Sequence, residues 1–138
     1  MALLFDEDYN ILSESGLVWE EDEGKRFLII KNYPLVIGFY TYNSLALEQV
    51  EVLCVIPPDY NSSGADMFWV HPALVRVDGK PIPNTSSFGG EDPRYRDNKE
   101  YCRWSRHFTA DSWKPKIDNI QKILDRIEWA LTNPNANK

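Results

Sequence analysis

The clearest hydrophobic pattern in the chain lies near its C-terminal end. Aliphatic residues recur there every three or four positions, a spacing that places side chains on one face of an α-helix. Proline is tolerated in a first helical turn, so the helix is predicted to start near Trp113-Lys114-Pro115. Asn133-Pro134 ends it, followed by a frayed tail at residues 135–138. The aliphatic positions are Ile117, Ile120, Ile123, Leu124, Ile127 and Leu131.

Short apolar runs separated by turn residues fill most of the chain before that helix. They are rich in β-branched and aromatic residues, which favour strands. Residues 6–14 could form one or two helical turns. Residues 83–101 show no apolar period and predict a long surface loop. The strand runs are residues 27–30, 35–41, 48–56 and 67–70.

These elements predict an α+β fold in which an antiparallel meander of about four strands packs on the C-terminal helix. The length of 138 residues fits one domain over residues 1–138. The net charge of −6 makes nucleic acid an unexpected partner. Two widely spaced cysteines, no signal-peptide pattern and no long apolar run predict a cytoplasmic protein without a membrane span.

Positive charge gathers around one of the two cysteines. Residues 94–116 carry Cys102 and seven of the lysines and arginines. Because neighbouring cations lower the pKa of a thiol, Cys102 is predicted to be a nucleophile presented on a loop. His107 could accept a proton or orient an incoming amine. Asn84, His107 or a backbone N–H near Cys102 could stabilise a developing oxyanion.

Each of these residues also has a plain structural explanation. Cys102 could be a half-buried structural thiol, and His107 could pin a loop. Cys54 lies in an apolar strand and is predicted to be a core residue. Trp104 and Trp113 are predicted to support the site structurally, together with Pro115.

The charged residues near Cys102 allow two interpretations as well. Arg103 and Arg106 could bind substrate, or they could be solvated or paired with nearby carboxylates. Asp111 could orient an acceptor amine or cap the helix. The histidines and cysteines lack zinc spacing, and Gly89-Gly90 lacks the pattern of a phosphate-binding loop. No metal and no cofactor is therefore predicted.

Several short motifs together resemble the ubiquitin-conjugating (UBC) superfamily. The match covers roughly residues 17–135 and includes a proline loop, a following strand, the cysteine and a tryptophan-proline helix start. The Cys-x-Trp-Ser-Arg-His stretch at Cys102 is similar to a bacterial branch, prokaryotic family E. The motifs are Pro57-Pro58-Asp59-Tyr60, Met67-Phe68-Trp69-Val70, Trp113-Lys114-Pro115 and Thr132-Asn133-Pro134-Asn135.

This resemblance implies an enzyme that carries a ubiquitin-like protein as a thioester on Cys102 and transfers it to an amine. Its implied partners are a ubiquitin-like protein, an activating enzyme and a JAB-type deconjugating peptidase. Two other functions remain open: a non-catalytic binding module of the same fold, and a thiol hydrolase of ubiquitin-like conjugates. A cysteine protease is poorly supported, because only five positions separate Cys102 and His107, whereas proteases usually bring such a pair together from distant elements.

The sequence departs from the eukaryotic pattern at three places. His71-Pro72 is followed by Ala73 where that pattern has asparagine, and it lies far ahead of Cys102. The stretch at 83–99 resembles an insertion near the active site. The N-terminal helix, which in the family meets the activating enzyme, is expected to be short or missing.

Overall fold

The computed structural model describes residues 2–107 and 112–136, and it is an α+β fold as predicted. Among the described residues, helix α1 precedes nine strands, and helix α2 follows them. The elements are α1 Asp6–Ser15, β1 Trp19–Asp22, β2 Phe27–Pro34, β3 Tyr40–Tyr42, β4 Leu45–Ala46, β5 Gln49–Val55, β6 Phe68–His71, β7 Val75–Arg76, β8 Arg94–Arg96, β9 Lys99–Trp104 and α2 Ile120–Thr132.

The main sheet has six strands, in the order β1-β2-β5-β6-β9-β8, and all neighbours are antiparallel. A second sheet has the order β4-β3-β7. The main sheet is thus wider than the four strands predicted, because β1 and the hairpin β8–β9 join β2, β5 and β6. The predicted strand at 35–41 overlaps only β3, which belongs to the second sheet. The sheet also curls, since Arg96 on β8 reaches Glu20 on β1, at the opposite end of the strand order, at 2.7 Å.

Strand register divides the side chains of the main sheet between two cores. Opposite residues in neighbouring strands share a face, and successive residues alternate between faces. One row runs from Ile30 through Val52 and Val70 to Cys102. Ile30, Val52 and Val70 belong to the core that α2 covers. The alternate face carries a smaller core of Phe27, Ile29, Leu53, Trp69 and Tyr101, and the curled sheet wraps around it.

Helix α2 starts later than the apolar pattern predicted. Its N-cap is Asn119, whose side chain accepts a hydrogen bond from the backbone N–H of Gln121 at 2.9 Å. Ile117 precedes the helix and is 73% exposed, so it does not extend the apolar stripe. Pro115 stands in a turn ahead of the helix, so its predicted place in the first helical turn is wrong. The buried stripe is Ile120, Ile123, Leu124, Ile127, Ala130 and Leu131.

Helix α1 is ten residues long and is fastened to α2 by one buried carboxylate. Asp8 is 1% exposed. It accepts hydrogen bonds from the backbone N–H of Phe5 at 2.9 Å, from the hydroxyl of Tyr60 at 2.8 Å and from the backbone N–H of Ile120 at 2.9 Å. The N-terminal helix is therefore present, and its position relative to the start of α2 is set by Asp8.

The stretch at 83–101 is not one long loop, and that prediction is corrected by the hairpin β8–β9. The turn between these strands is Asp97-Asn98, and both residues have positive φ, at 53° and 61°. Two left-handed residues are what a tight hairpin turn requires, and Asp and Asn tolerate that conformation. Thr85 then forms an isolated bridge with Trp104 and fastens the remaining loop to β9.

Candidate functional site

Cys102 lies within strand β9 and faces the protein interior. Its register partner is Val70, and it is 1% exposed. The expectation of a thiol presented on a loop is therefore wrong. The residues flanking Cys102 pair with β6 and β8, so the cysteine is held from both sides.

The electrostatic surroundings of Cys102 also differ from the prediction. Burial and, to a smaller extent, the charge of Glu100 raise the pKa of the thiol to about 11. The nearby cations do not offset this, because Arg103 alternates to the other face of the sheet and pairs with Glu91 at 3.1 Å. In this conformation Cys102 is a neutral thiol at physiological pH.

Arg106, a candidate substrate-binding residue, is fully buried. Its guanidinium lies 5.1 Å from the centre of the Trp104 ring. Two of its nitrogens, Nε and Nη2, have no hydrogen-bond partner within the described residues. Burial lowers the pKa of Arg106, and the positive charge of Arg126 lowers it further. The solvated interpretation of Arg106 is therefore wrong, and no ion pair joins Arg106 to a carboxylate among the described residues.

A polar group forms at the surface where β9 ends. The Nδ1 atom of His107 is 2.5 Å from a carboxylate oxygen of Asp66, and its Nε2 atom is 3.1 Å from the hydroxyl of Ser105. The His107 and Asp66 side chains are each 50% exposed. The backbone carbonyl of Asn84 accepts the N–H of Ser105 at 2.9 Å, so the main chain of the candidate Asn84 lies beside Ser105.

Two members of this group were missed as functional residues in the sequence. Asp66 stands 41 positions before His107, and only tertiary folding brings the two side chains into contact. In the sequence, Ser105 contributed only as part of the Cys-x-Trp-Ser-Arg-His stretch. Its position two residues before the histidine was the available signal.

The remaining predicted residues occupy structural positions or lie outside the description. Trp104 is 1% exposed and stacks on Phe68 with ring centres 5.5 Å apart. Trp113 donates from its indole nitrogen to the carbonyl of Asn61 at 3.0 Å. Asp111 lies outside the described residues. Pro115 is exposed in the turn before α2.

The second cysteine and the first histidine are embedded in the sheet. Cys54 is 1% exposed, which confirms its prediction as a core residue, and burial raises its pKa to about 12. The Nδ1 atom of His71 lies 2.9 Å from the carbonyl oxygen of Glu100, and its ring contacts the ring of Tyr101. Neither residue belongs to the polar group at the end of β9.

Other features of the surface lie apart from Cys102. A groove of about 510 Å³ runs between the second sheet and the end of α2, and Trp129 is among the residues that line it. Within residues 2–107 and 112–136, no cluster of histidine, cysteine, aspartate and glutamate is arranged to hold a metal ion. No helix in these same ranges has the length and apolarity needed to cross a bilayer.

Comparison with known proteins gives a family match. The family described as prokaryotic E2 family E matches residues 4–134. This range includes both helices, the six-stranded sheet and the polar group at the end of β9. No curated protein and no solved structure matches the chain.

Proposed function

The chain belongs to prokaryotic E2 family E, and from that premise we propose that it carries a ubiquitin-like protein as a thioester on Cys102 and transfers it to an amine. Membership in this E2-like family supports a conjugating enzyme that acts with a ubiquitin-like protein and an activating enzyme. The observation that carries the proposal is the match across residues 4–134, which contains Cys102 and the polar group at the end of its strand.

The proposed chemistry has two acyl transfers. The Cys102 thiolate attacks the thioester on the activating enzyme, a new C–S bond forms, and the thiolate of the activating enzyme leaves. An acceptor amine then attacks the new thioester, its nitrogen forms the amide bond, and the Cys102 thiolate leaves. His107 is suited to take the amine's proton, because Asp66 orients its ring from the Nδ1 side.

The burial of Cys102 adds a requirement to this proposal. A thiol that is 1% exposed with a pKa of about 11 does not react until its strand is uncovered. The segment around Thr85 and Ser86 closes the end of β9, since the backbone N–H of Ser86 donates to the carbonyl of Arg103 at 2.9 Å. We propose that docking of the activating enzyme displaces this segment and exposes Cys102.

The burial of Cys102 also favours a second candidate function. A non-catalytic module with the E2-like fold would bind the same proteins without forming a thioester. A core cysteine with a raised pKa is what such a module would contain. The two candidates share their partners and differ in whether the chain becomes covalently loaded.

Two further statements belong to the proposal. We propose a JAB-type peptidase as the enzyme that reverses the conjugation, and the cytoplasm as the compartment in which the thiols stay reduced. The peptidase partner would be supported by its cleavage of a conjugate made with this chain.

A charging assay separates the candidate functions. The protein is incubated with its activating enzyme, ATP and the ubiquitin-like protein. We expect an adduct that dithiothreitol cleaves, that Cys102→Ala abolishes and that Cys54→Ala retains. Cys54 is the matched control because it is equally buried, at 1% exposure. Binding without any adduct would favour the non-catalytic module, and cleavage of a preformed conjugate would favour the hydrolase.

A further inference from the structure

The polar group at the end of β9 has the connectivity of a serine nucleophile, a histidine base and an orienting carboxylate. Ser105, His107 and Asp66 are joined in that order by contacts of 3.1 Å and 2.5 Å. Such a group is recognised by the roles and geometry of its members and not by their order in the sequence. Here the serine and histidine come from the end of β9, and the aspartate comes from the segment before β6.

The hydrogen bonds select the form of histidine that a general base needs. The Asp66 carboxylate can only accept, so the proton of the neutral imidazole lies on Nδ1. Nε2 then presents its lone pair to the hydroxyl of Ser105, which donates to it. Ser105 is partly exposed, and the His107 and Asp66 side chains are half exposed, so an acyl group can approach them from solvent.

Two arginines place positive charge beside this group. Arg126 donates from Nη2 to the backbone carbonyl of His107 at 2.7 Å. Arg106 is fully buried next to Ser105, and two of its guanidinium nitrogens lack a partner among the described residues. Fixed positive charge in a partly desolvated place stabilises the negative charge that develops on a tetrahedral intermediate.

We propose that Ser105, His107 and Asp66 form a serine acyl-transfer site for activated acyl groups, thioesters and activated esters. Ser105 Oγ attacks the acyl carbon and forms a C–O bond, while its proton moves to His107 Nε2. The C–S or C–O bond to the leaving group breaks, and His107 returns the proton to that group. Water then attacks the serine ester, gives a proton to Nε2, and the acid leaves as Ser105 regains its proton.

This site goes beyond the thioester function proposed for Cys102. The Ser105 hydroxyl is partly exposed in the structure, whereas Cys102 is buried. An acyl group on Ser105 would be an oxygen ester that resists dithiothreitol. The serine site also needs no activating enzyme, so it can be tested with small probes even where Cys102 cannot be charged.

The test uses the whole protein and a fluorophosphonate, which forms a stable bond with an activated serine. We expect one fluorophosphonate group per chain by intact mass. Trypsin cleaves after Arg103 and after Arg106, so Cys102 and Ser105 fall in different peptides. The group is expected on the peptide that contains Ser105. Hydrolysis of p-nitrophenyl acetate should follow the same pattern among the variants.

Four variants separate a catalytic role from a structural one. Ser105→Ala and His107→Ala are expected to abolish labelling, and Asp66→Asn to slow it by about tenfold or more. The matched control is Ser63→Ala, because the Ser63 hydroxyl donates to the Asp59 carboxylate at 2.6 Å without an imidazole. Equal labelling of wild type and Ser105→Ala, or a label on the Cys102 peptide, would overturn the proposal.

Discussion

A single row of paired residues across the main sheet decides whether the Cys102 thiol is buried. The row from Ile30 through Val52 and Val70 lies in the core beneath α2, and Cys102 continues it in β9. A shift by one residue would move the thiol to the other face, because side chains alternate along a strand. The reactivity of this cysteine in the isolated protein is therefore a property of strand register.

The isolated protein should resist alkylation at Cys102. With a pKa of about 11, the thiolate fraction at neutral pH is about 100-fold lower than for an ordinary cysteine. Burial slows the reaction further. Iodoacetamide labelling followed by mass spectrometry should find Cys102 and Cys54 both protected in the native protein and both modified in guanidinium.

The opposite labelling result is equally clear. Fast native alkylation of Cys102, with Cys54 protected, would contradict the buried position of Cys102. If the activating enzyme uncovers β9 as proposed, its addition should accelerate alkylation of Cys102 but not of Cys54.

Residue identity alone could suggest Cys102 and His107 but not their surroundings. Cations near a cysteine in sequence predicted a lowered pKa. In the strand, Arg103 points to the opposite face, while burial and, to a smaller extent, Glu100 raise the pKa of the thiol. Successive side chains of a β-strand face opposite sides of the sheet, so a cation next to Cys102 in the sequence does not lie beside its thiol. The predicted lowering of the pKa is therefore replaced by a rise.

At the scale of elements, the contact between α1 and α2 depends on Asp8. Its carboxylate receives three hydrogen bonds, one of them from the backbone N–H at the start of α2. A carboxylate at a helix N-terminus also interacts favourably with the helix dipole.

Replacing Asp8 by alanine should destabilise the protein by about 3 kcal/mol, because buried donors on Phe5, Tyr60 and Ile120 lose their acceptor. Urea unfolding measured by circular dichroism checks this value. Asp6→Ala is the control, since Asp6 is an exposed acid in the first turn of the same helix. Equal losses for the two variants would contradict the role assigned to Asp8.

An element with a strong apolar period in its sequence was predictable, whereas the hairpin β8–β9, which is defined by its turn, was not. The apolar stripe from Ile120 to Leu131 predicted α2. Because Ile117 was counted in that stripe, the predicted start of the helix was too early. The hairpin β8–β9 was not predicted, because its outer positions are charged residues and its sequence shows no apolar period. The usable signal was Asp97-Asn98, two residues that tolerate the left-handed conformation of a tight turn.

At the scale of the whole molecule, the curled sheet brings distant strands into one charged cluster. Glu51 on β5 accepts hydrogen bonds from Lys99 and Tyr101 on β9, at 2.6 Å and 2.7 Å, and pairs with Lys31 on β2 at 3.1 Å. Burial alone would raise the pKa of Glu51, but these three partners more than offset it and lower the pKa to about 2.

Glu51 should therefore make stability fall in acid. A carboxyl with a lower pKa in the folded protein stabilises the fold above its ordinary value of 4.5, and this stabilisation is lost as the pH falls toward about 2. After allowance for partial exposure, the loss is on the order of 2 kcal/mol. Urea unfolding at a series of pH values should show a smaller loss in Glu51→Gln.

Glu48→Gln serves as the control for this pH dependence, because Glu48 is an exposed acid just before the same strand. It should keep the acid loss of the wild type. An unchanged pH profile in Glu51→Gln would show that the cluster does not carry the effect.

The central claim concerns where a ubiquitin-like protein becomes attached, and mass spectrometry of the charged protein tests it most directly. After one round of charging by the activating enzyme, trypsin separates the Cys102 peptide from the Ser105 peptide by cleavage at Arg103. The account predicts a dithiothreitol-labile remnant on Cys102. A protein that binds the activating enzyme and the ubiquitin-like protein but carries no remnant on Cys102 would contradict it.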